Sequence, residues 1–162
     1  MQSAVVNSDY ETIQKSAAIT FSVYSILFLA GTVGSLIVIF PLLSLLREGF
    51  VFDSVLFLLL SVFQYAYKSN TLYASIISNF NQLPYYLSYV ITSTASTLLI
   101  VVLMWIVPNI GLYAVVIGLA LPQMIYNFWK WPTYARRLMK LRRGELTLIS
   151  IRLLKQLIIR YT

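Results

Sequence analysis

The sequence predicts an all-α integral membrane protein with about four transmembrane helices and a basic amphipathic cytoplasmic helix. Of its 162 residues 59% are hydrophobic, against 12 basic and 5 acidic residues, a balance that water-soluble domains do not show. Between Lys15 and Arg47 lie 31 consecutive uncharged residues, whereas roughly 20 suffice to cross the hydrocarbon of a bilayer. Nine of the basic residues lie between Lys130 and Arg160, directly after the last apolar run. This position favours a cytoplasmic membrane surface over nucleic acid as their partner.

The apolar runs divide the chain into a lead-in, a membrane region and a tail. Residues 1–16 are predicted to be a short cytoplasmic lead-in. In the first span Gly31, Gly34 and Ser35 are small residues at which another helix could approach closely. The membrane region is predicted at 17–129, with spans at about 17–42, 54–77, 83–107 and 112–129.

The tail, residues 130–162, changes character after Gly144. Beyond this glycine, apolar residues recur at helical spacing, which predicts an amphipathic helix lying on the membrane face. An even number of spans then places both termini in the cytoplasm, in a multi-pass protein of the cytoplasmic membrane. The apolar positions are Leu146, Ile149, Leu153, Leu154, Leu157 and Ile158, and the basic residues predicted to meet lipid head groups are Arg136, Arg137, Lys140, Arg142 and Arg143.

The second span carries a polar line along one side. Its members are separated by steps of three and four residues, which places them on one face of a helix. Lys68 lies near the middle of the span, where a charge is costly unless it is hydrated or paired. One interpretation is a water-filled cavity in which Lys68 meets an anionic group of a substrate, and the other is a lysine that extends to the membrane surface. The line is Ser61, Gln64, Lys68, Thr71, Ser75 and Asn79, of which the last five are the predicted substrate-binding residues.

The third span has a weaker version of this pattern, with hydroxyl residues at Tyr85, Ser88, Thr92 and Ser96. Hydroxyl groups in membrane helices often bond only to their own backbone. Tyrosines of this region have two interpretations, stacking on sugar rings or ordinary packing, and packing is preferred for each one singly. These tyrosines are Tyr65, Tyr67, Tyr73 and Tyr85.

No pattern typical of an enzyme occurs in the chain. It contains neither histidine nor cysteine, the usual general base and the commonest metal ligands. The acidic residues lie outside the predicted spans, and there is neither a GxSxG motif nor a Gly-rich phosphate loop. We therefore expect no enzymatic activity, no metal and no cofactor.

Two short motifs carry a family resemblance. NFNQLP at residues 79–84 precedes the third span, and NIGLYA at residues 109–114 precedes the last. With the polar-faced second span and the basic end, this order resembles the C-terminal third of polysaccharide flippases of the multidrug/oligosaccharidyl-lipid/polysaccharide exporter superfamily. The resemblance implies export of lipid-linked oligosaccharide repeat units, for O-antigen or capsule, across the cytoplasmic membrane.

The resemblance also implies that the chain is incomplete. Members of that family enclose a central cavity between two lobes of helices, and this chain would supply only the last four spans. The chain would then be a C-terminal fragment or the product of a truncated gene. Its expected partners are membrane lipids, the lipid-linked oligosaccharide, and either the missing N-terminal helices or other copies of itself.

Two other hypotheses remain. The chain could be a small membrane scaffold or accessory subunit that recruits lipid or a cytoplasmic partner through its basic tail. Alternatively, it could be a self-assembling exporter of drugs or ions, which the absence of an acidic residue within the spans disfavours for proton-coupled export.

Overall fold

The computed structural model of the protein describes residues 9–49, 51–82 and 84–161, without the side chains at 154, 157, 158, 160 and 161. Residues 1–8 of the predicted lead-in and the predicted apolar positions Leu154, Leu157 and Ile158 therefore fall outside what is described. Every regular element in the described part is helical. The elements are α1 (Tyr10–Gly34), a π-helical turn (Ser35–Ile39), α2 (Phe40–Leu46), α3 (Ser54–Asn79), α4 (Tyr85–Ile106), a 3₁₀ turn (Pro108–Ile110), α5 (Leu112–Ile125), α6 (Asn127–Leu138) and α7 (Glu145–Tyr161).

Two aspartates fix the starts of the first two long helices. The Asp9 carboxylate accepts a hydrogen bond from the Thr12 backbone N–H at 3.1 Å, and Asp53 accepts one from the Leu56 N–H at 2.9 Å. Such N-caps satisfy backbone donors that the first helical turn leaves unpaired. Asp53 also accepts a hydrogen bond from the Tyr113 hydroxyl at 2.8 Å, which joins the start of α3 to the start of α5.

Two or three of the described helical stretches are long and apolar enough to cross a membrane. Tyr10–Leu46, with 37 residues, and α4, with 22, each satisfy this criterion, and α5 and α6 satisfy it together although they bend by 41°. In the most apolar 18 residues of the first stretch no residue is buried within the chain, and in those of α4 only 11% are buried. The 26-residue α3 is long enough but is not among them, because its polar line lowers its average hydrophobicity.

The buried apolar core lies at one end of the helices. It combines the beginning of α1, the end of α3, α6 with the turn that follows it, and the beginning of α7, and we call this region the packed end. The core residues are Ile13, Ala17, Ala18, Ile76, Ile77, Trp131, Ala135, Met139 and Leu146.

The opposite end is built differently. None of the residues of the π-helical turn, of α2 or of Val101–Ile106 is buried, and we call these segments the open end. Phe40 stacks on Phe52 with ring centroids 3.7 Å apart, and the edge of Phe57 meets Phe40 at 4.9 Å. Apart from this aromatic cluster, the open end presents its apolar side chains outward.

The described apolar residues at the start of α7 pack inward, which corrects the prediction that this part of the face lies on the membrane. Leu146 belongs to the core, and Ile149 and Leu153 pack against it. The Ser150 hydroxyl donates to the Ala18 carbonyl of α1 at 3.2 Å. The small side chains of Ala17 and Ala18 leave room for this contact, so α1 covers the described part of the face that the sequence pattern assigned to lipid.

Within the described residues no helix of this chain approaches Gly31 or Gly34, so the close approach predicted there stays a prediction. A Cβ atom at either glycine would have no neighbouring heavy atom within 4 Å. A close approach does occur at Gly118 of α5, where a Cβ would lie 3.1 Å from the backbone nitrogen and 3.2 Å from the Cα of Ile100 in α4. Only a residue without a side chain allows α4 and α5 this separation.

Candidate functional site

The polar line predicted in the second span lies on the outer face of α3. Gln64, Lys68, Thr71 and Ser75 are all exposed, and Asn79 at the end of the helix is half-buried. Because these residues recur every three or four positions along one regular helix, they form a continuous polar strip along its surface. The structure thus places four of the five predicted substrate-binding residues side by side, with Lys68 near the middle of α3.

Lys68 has no charged partner within the described residues. Its Nζ lies 6.0 Å from the centroid of the neighbouring Tyr67 ring, and the one salt bridge in this part of the chain joins Lys15 to Glu11. The ammonium group is therefore available to an anion that comes from outside the chain.

Open grooves lie on either side of the polar line. Gln64 lines a groove of about 490 Å³ between α1 and α3, and Thr71 lines one of about 520 Å³ between α3 and α4. Both grooves open to the surface, so the described chain does not by itself enclose the cavity proposed around Lys68.

Tyrosines beside the line mostly serve packing, as predicted for each one singly. Tyr65 stacks on Tyr24 at 5.6 Å, and the Tyr73 ring lies 4.5 Å from that of Phe21. The hydroxyl of Tyr85 is hydrogen-bonded to Ser78 at 2.5 Å, which ties the start of α4 to the end of α3. Tyr67 and Tyr85 also line the α3–α4 groove.

A buried polar network joins α4, α5 and α6. The Thr92 hydroxyl oxygen accepts hydrogen bonds from the Gln123 side-chain amide at 3.2 Å and from the Asn127 amide at 2.9 Å. The same hydroxyl donates to the Ser88 carbonyl at 2.8 Å. Thr92, Gln123 and Asn127 are all buried. The hydroxyl pattern of the third span therefore does more than bond to its own backbone.

Asn127 is the centre of this network. Its amide oxygen accepts hydrogen bonds from Ser88 at 3.1 Å and from the Trp131 indole N–H at 2.8 Å. Its amide nitrogen also donates to the Gln123 side-chain oxygen at 2.7 Å. Because these side chains satisfy one another's hydrogen-bonding groups, the network holds α5 and α6 together across the bend between them.

Sequence reasoning did not single out Gln123 or Asn127. The available signal was their spacing, since Gln123, Asn127 and Trp131 follow one another at intervals of four residues and so share one helix face. Two amides in an apolar run need hydrogen-bond partners in a membrane, and Thr92 and Ser88 are the partners that α4 provides.

The predicted membrane-surface residues fall into two groups. Arg137, Arg142 and Arg143 are exposed. Arg136 is turned onto its own helix, where it donates to the Pro132 carbonyl and to the Thr133 hydroxyl, both at 3.1 Å. Lys140 is exposed, and its ammonium lies 4.0 Å from the centroid of the Tyr10 ring.

Carboxylates lie at helix ends, away from Lys68. Asp9 and Asp53 cap helices, Glu11 pairs with Lys15 at 2.6 Å, and Glu145 accepts a hydrogen bond from the Arg142 N–H at 2.6 Å. Within the described residues no group of three His, Cys, Asp or Glu side chains is placed to hold a metal ion.

The chain matches no protein-family model, no curated protein and no solved structure. Its resemblance to polysaccharide flippases rests on two short motifs and on the order of its elements. The geometry of α3 and its surroundings is therefore the basis for the function proposed below.

Proposed function

We propose that this chain is a membrane transporter, or the C-terminal part of one, that exports lipid-linked oligosaccharide repeat units across the cytoplasmic membrane. The observation that carries the proposal is the exposed polar line of α3, Gln64, Lys68, Thr71 and Ser75, set between helices that are apolar enough to cross a bilayer. In this proposal α3 is the second of four spans, and the amphipathic α7 and both termini are cytoplasmic.

The cost of an unpaired lysine supports a transport pathway. A charged side chain near the centre of a membrane helix costs about 2.5–3.5 kcal/mol, and Lys68 has no counter-ion in the described part of the chain. Water in a pathway and a phosphate on the substrate would together offset this cost. The amide and hydroxyl groups of Gln64, Thr71 and Ser75 suit the hydroxyl groups of sugars, because they both donate and accept hydrogen bonds.

The second wall of the pathway comes from outside the described chain. Both grooves beside α3 are open, at about 490 and 520 Å³. We propose that additional N-terminal helices or another copy of the chain close them. A closed pathway of this kind would let the polar head of the substrate cross while its lipid tail stays in the bilayer.

The experiment is a translocation assay with the chain reconstituted in proteoliposomes, together with its partner helices if it requires them. A fluorescent lipid-linked oligosaccharide in one leaflet is followed by its accessibility to an added glycosidase. Lys68→Gln should lower the initial rate by about tenfold, because it removes one charge-assisted hydrogen bond. Lys68→Arg should retain most of the rate, since it keeps the charge.

The matched control is Lys155→Gln, which removes the same charge from an exposed position of α7. Its translocation rate should equal that of the unmodified chain. An unchanged rate for Lys68→Gln, at equal membrane insertion, would contradict the proposed role of the polar line.

A scaffold or accessory subunit is the second candidate function, favoured by the exposed Arg137, Arg142 and Arg143. In that case the tail recruits anionic lipid or a cytoplasmic partner, and the spans serve as an anchor. Replacing these three arginines with glutamine would abolish the function, and Lys68→Gln would leave it intact. The two candidates thus predict opposite results for the same pair of variants.

A further inference from the structure

A cleft of about 610 Å³ lies at the packed end, between the start of α1 and the outer side of α7. Lys15 lines it from α1, Lys140 from the turn before α7, and Arg152 from α7 itself. Lys15 is also the last charged residue before the uncharged run of α1, so the cleft lies where that helix passes from water into lipid. We propose that this cleft binds the phosphate-bearing head group of an anionic membrane phospholipid.

The two carboxylates in the cleft are already engaged. Glu11 lies 2.6 Å from the Lys15 ammonium, and Glu145 accepts the Arg142 backbone N–H at 2.6 Å. These contacts neutralise Lys15 and orient Glu145 toward its own turn. Glu145 keeps its negative charge, so the three cations and two carboxylates of the cleft leave a net charge of +1, and the donors free for a ligand belong to Lys140 and Arg152.

Arg152 and Lys140 have donors left for a phosphate. Arg152 has neither a hydrogen bond nor an ion pair to any residue of the described chain. The Lys140 ammonium contacts the face of the Tyr10 ring. A contact with a ring face leaves ammonium N–H groups free for an oxygen acceptor. The planar guanidinium of Arg152 matches two phosphate oxygens at once.

The apolar part of the site points to a lipid. Leu148 lines the cleft and is 62% exposed, and Ile151 and Ile159 on the same side of α7 are 58% and 67% exposed. This outer face lies opposite the inner face of α7 that packs on the core. Helices that combine exposed apolar side chains with cations bind at the bilayer interface, where acyl chains and phosphates are both within reach.

A second copy of the chain fits this face less well. The described outer face of α7 carries two cations, Arg152 and Lys155, against one carboxylate, Glu145, and is therefore basic. Two such faces would bring like charges together, whereas an anionic lipid surface complements them.

The primary experiment counts bound lipids by native mass spectrometry of the detergent-solubilised chain, titrated with phosphatidylglycerol or phosphatidylcholine. The chain should retain phosphatidylglycerol with at least about tenfold higher affinity, as expected for charge-assisted contacts. The double variant Lys140→Gln/Arg152→Gln should lose this preference. The control Arg47→Gln/Lys130→Gln removes the same charge from positions that do not line the cleft, and should keep it.

Other occupants give different results in the same experiment. An equal loss of phosphatidylglycerol in the control variant would show unspecific attraction to a basic surface and overturn the proposal. Displacement of the lipid by an equal concentration of inorganic phosphate would identify a free-phosphate site instead. Dimers that disappear in the Lys140→Gln/Arg152→Gln variant would identify the face as a contact between copies.

A second measurement keeps the proposal testable if the double variant does not fold. The chain contains no cysteine, so Leu148→Cys provides one attachment site for a bimane fluorophore. In nanodiscs, phosphatidylglycerol with a spin-labelled head group should quench it more than equally labelled phosphatidylcholine at the same mole fraction. At Ile91→Cys, on the exposed side of α4, the same fluorophore should be quenched equally by the two labelled lipids. If the ratio of quenching by phosphatidylglycerol to quenching by phosphatidylcholine is the same at the two positions, the proposal is overturned.

Discussion

The packed end and the open end of this protein solve different physical problems. At the packed end Ile13, Ile77 and Met139 have no exposed surface, and helices from both halves of the chain meet. At the open end the side chains of Leu45 and Leu46 are 85% and 75% exposed. Exposed apolar surface of this kind is unfavourable in water and favourable in lipid or against another protein. The packed end therefore holds the fold together, and the open end depends on its surroundings.

The difference also separates two uses of polar side chains. The network around Asn127 is fully enclosed and hydrogen-bonded, whereas the line through Lys68 is open to the outside. A satisfied buried network has no groups left for a ligand. Only the open line is suited to bind one.

The largest effect is expected for Asn127→Leu. This variant leaves the Trp131 N–H and the Gln123 oxygen without their partner, and each unsatisfied buried group costs about 1–3 kcal/mol. We expect the free energy of unfolding to fall by about 3 kcal/mol, measured by detergent-induced unfolding followed by circular dichroism. Ser44→Ala, whose hydroxyl bonds only to the backbone of its own helix at the open end, should change it by less than about 0.5 kcal/mol. Equal effects would remove the distinction between the two ends.

A smaller effect is expected for Gly118→Ala. The added methyl group would press on the backbone of Ile100, and overpacking of this kind costs about 1–3 kcal/mol. Gly31→Ala is the matched control, because nothing lies within 4 Å of its added Cβ and alanine favours a helix over glycine by about 1 kcal/mol. Thermal unfolding in the same detergent should show destabilisation for Gly118→Ala and none for Gly31→Ala. A loss of stability in Gly31→Ala would mean that another helix covers α1.

The smallest effect concerns pH and Asp53, which lies outside the spans at the loop between α2 and α3. The Leu56 N–H and then the Tyr113 hydroxyl stabilise its charged form, which lowers the pKa of Asp53 below its ordinary value of 3.8. The charged carboxylate therefore contributes stability above that ordinary value, and the contribution is lost as the pH falls through the lowered pKa.

Asp53→Asn separates this contribution from the rest of the acid response. The unmodified chain should be slightly more stable than Asp53→Asn at neutral pH, and the two melting temperatures should converge at acid pH. Tyr113→Phe removes one of the two donors and should reduce the neutral-pH difference. A difference that stays constant with pH would show that the Asp53 charge has no role in stability.

The sequence predicts some of these features because their signals are local. The three- and four-residue steps around Lys68 define a helix face whatever packs beside it. This prediction depends only on helical periodicity.

The remaining features depend on contacts between distant segments. The pattern of Leu146, Ile149 and Leu153 predicts an apolar face but not its covering, and α1 covers it instead of lipid. Gly31 and Gly118 both lie in apolar runs and cannot be distinguished by sequence, yet within the described chain only Gly118 contacts another helix. Gln123 and Asn127 are two amides in an apolar run, and only the fold places Thr92 beside both of them.

The π-helical turn at Ser35–Ile39 has a consequence for the length of the chain. Here the Phe40 N–H bonds to the carbonyl of Ser35, five residues back, just before Pro41, which lacks the N–H that an α-helix would use. Such a turn contains one residue more than the corresponding turn of an α-helix. The extra residue turns Phe40 toward Phe52 and Phe57. An orthologue without Pro41 and with a regular helix should therefore align with a one-residue gap between Gly34 and Phe40.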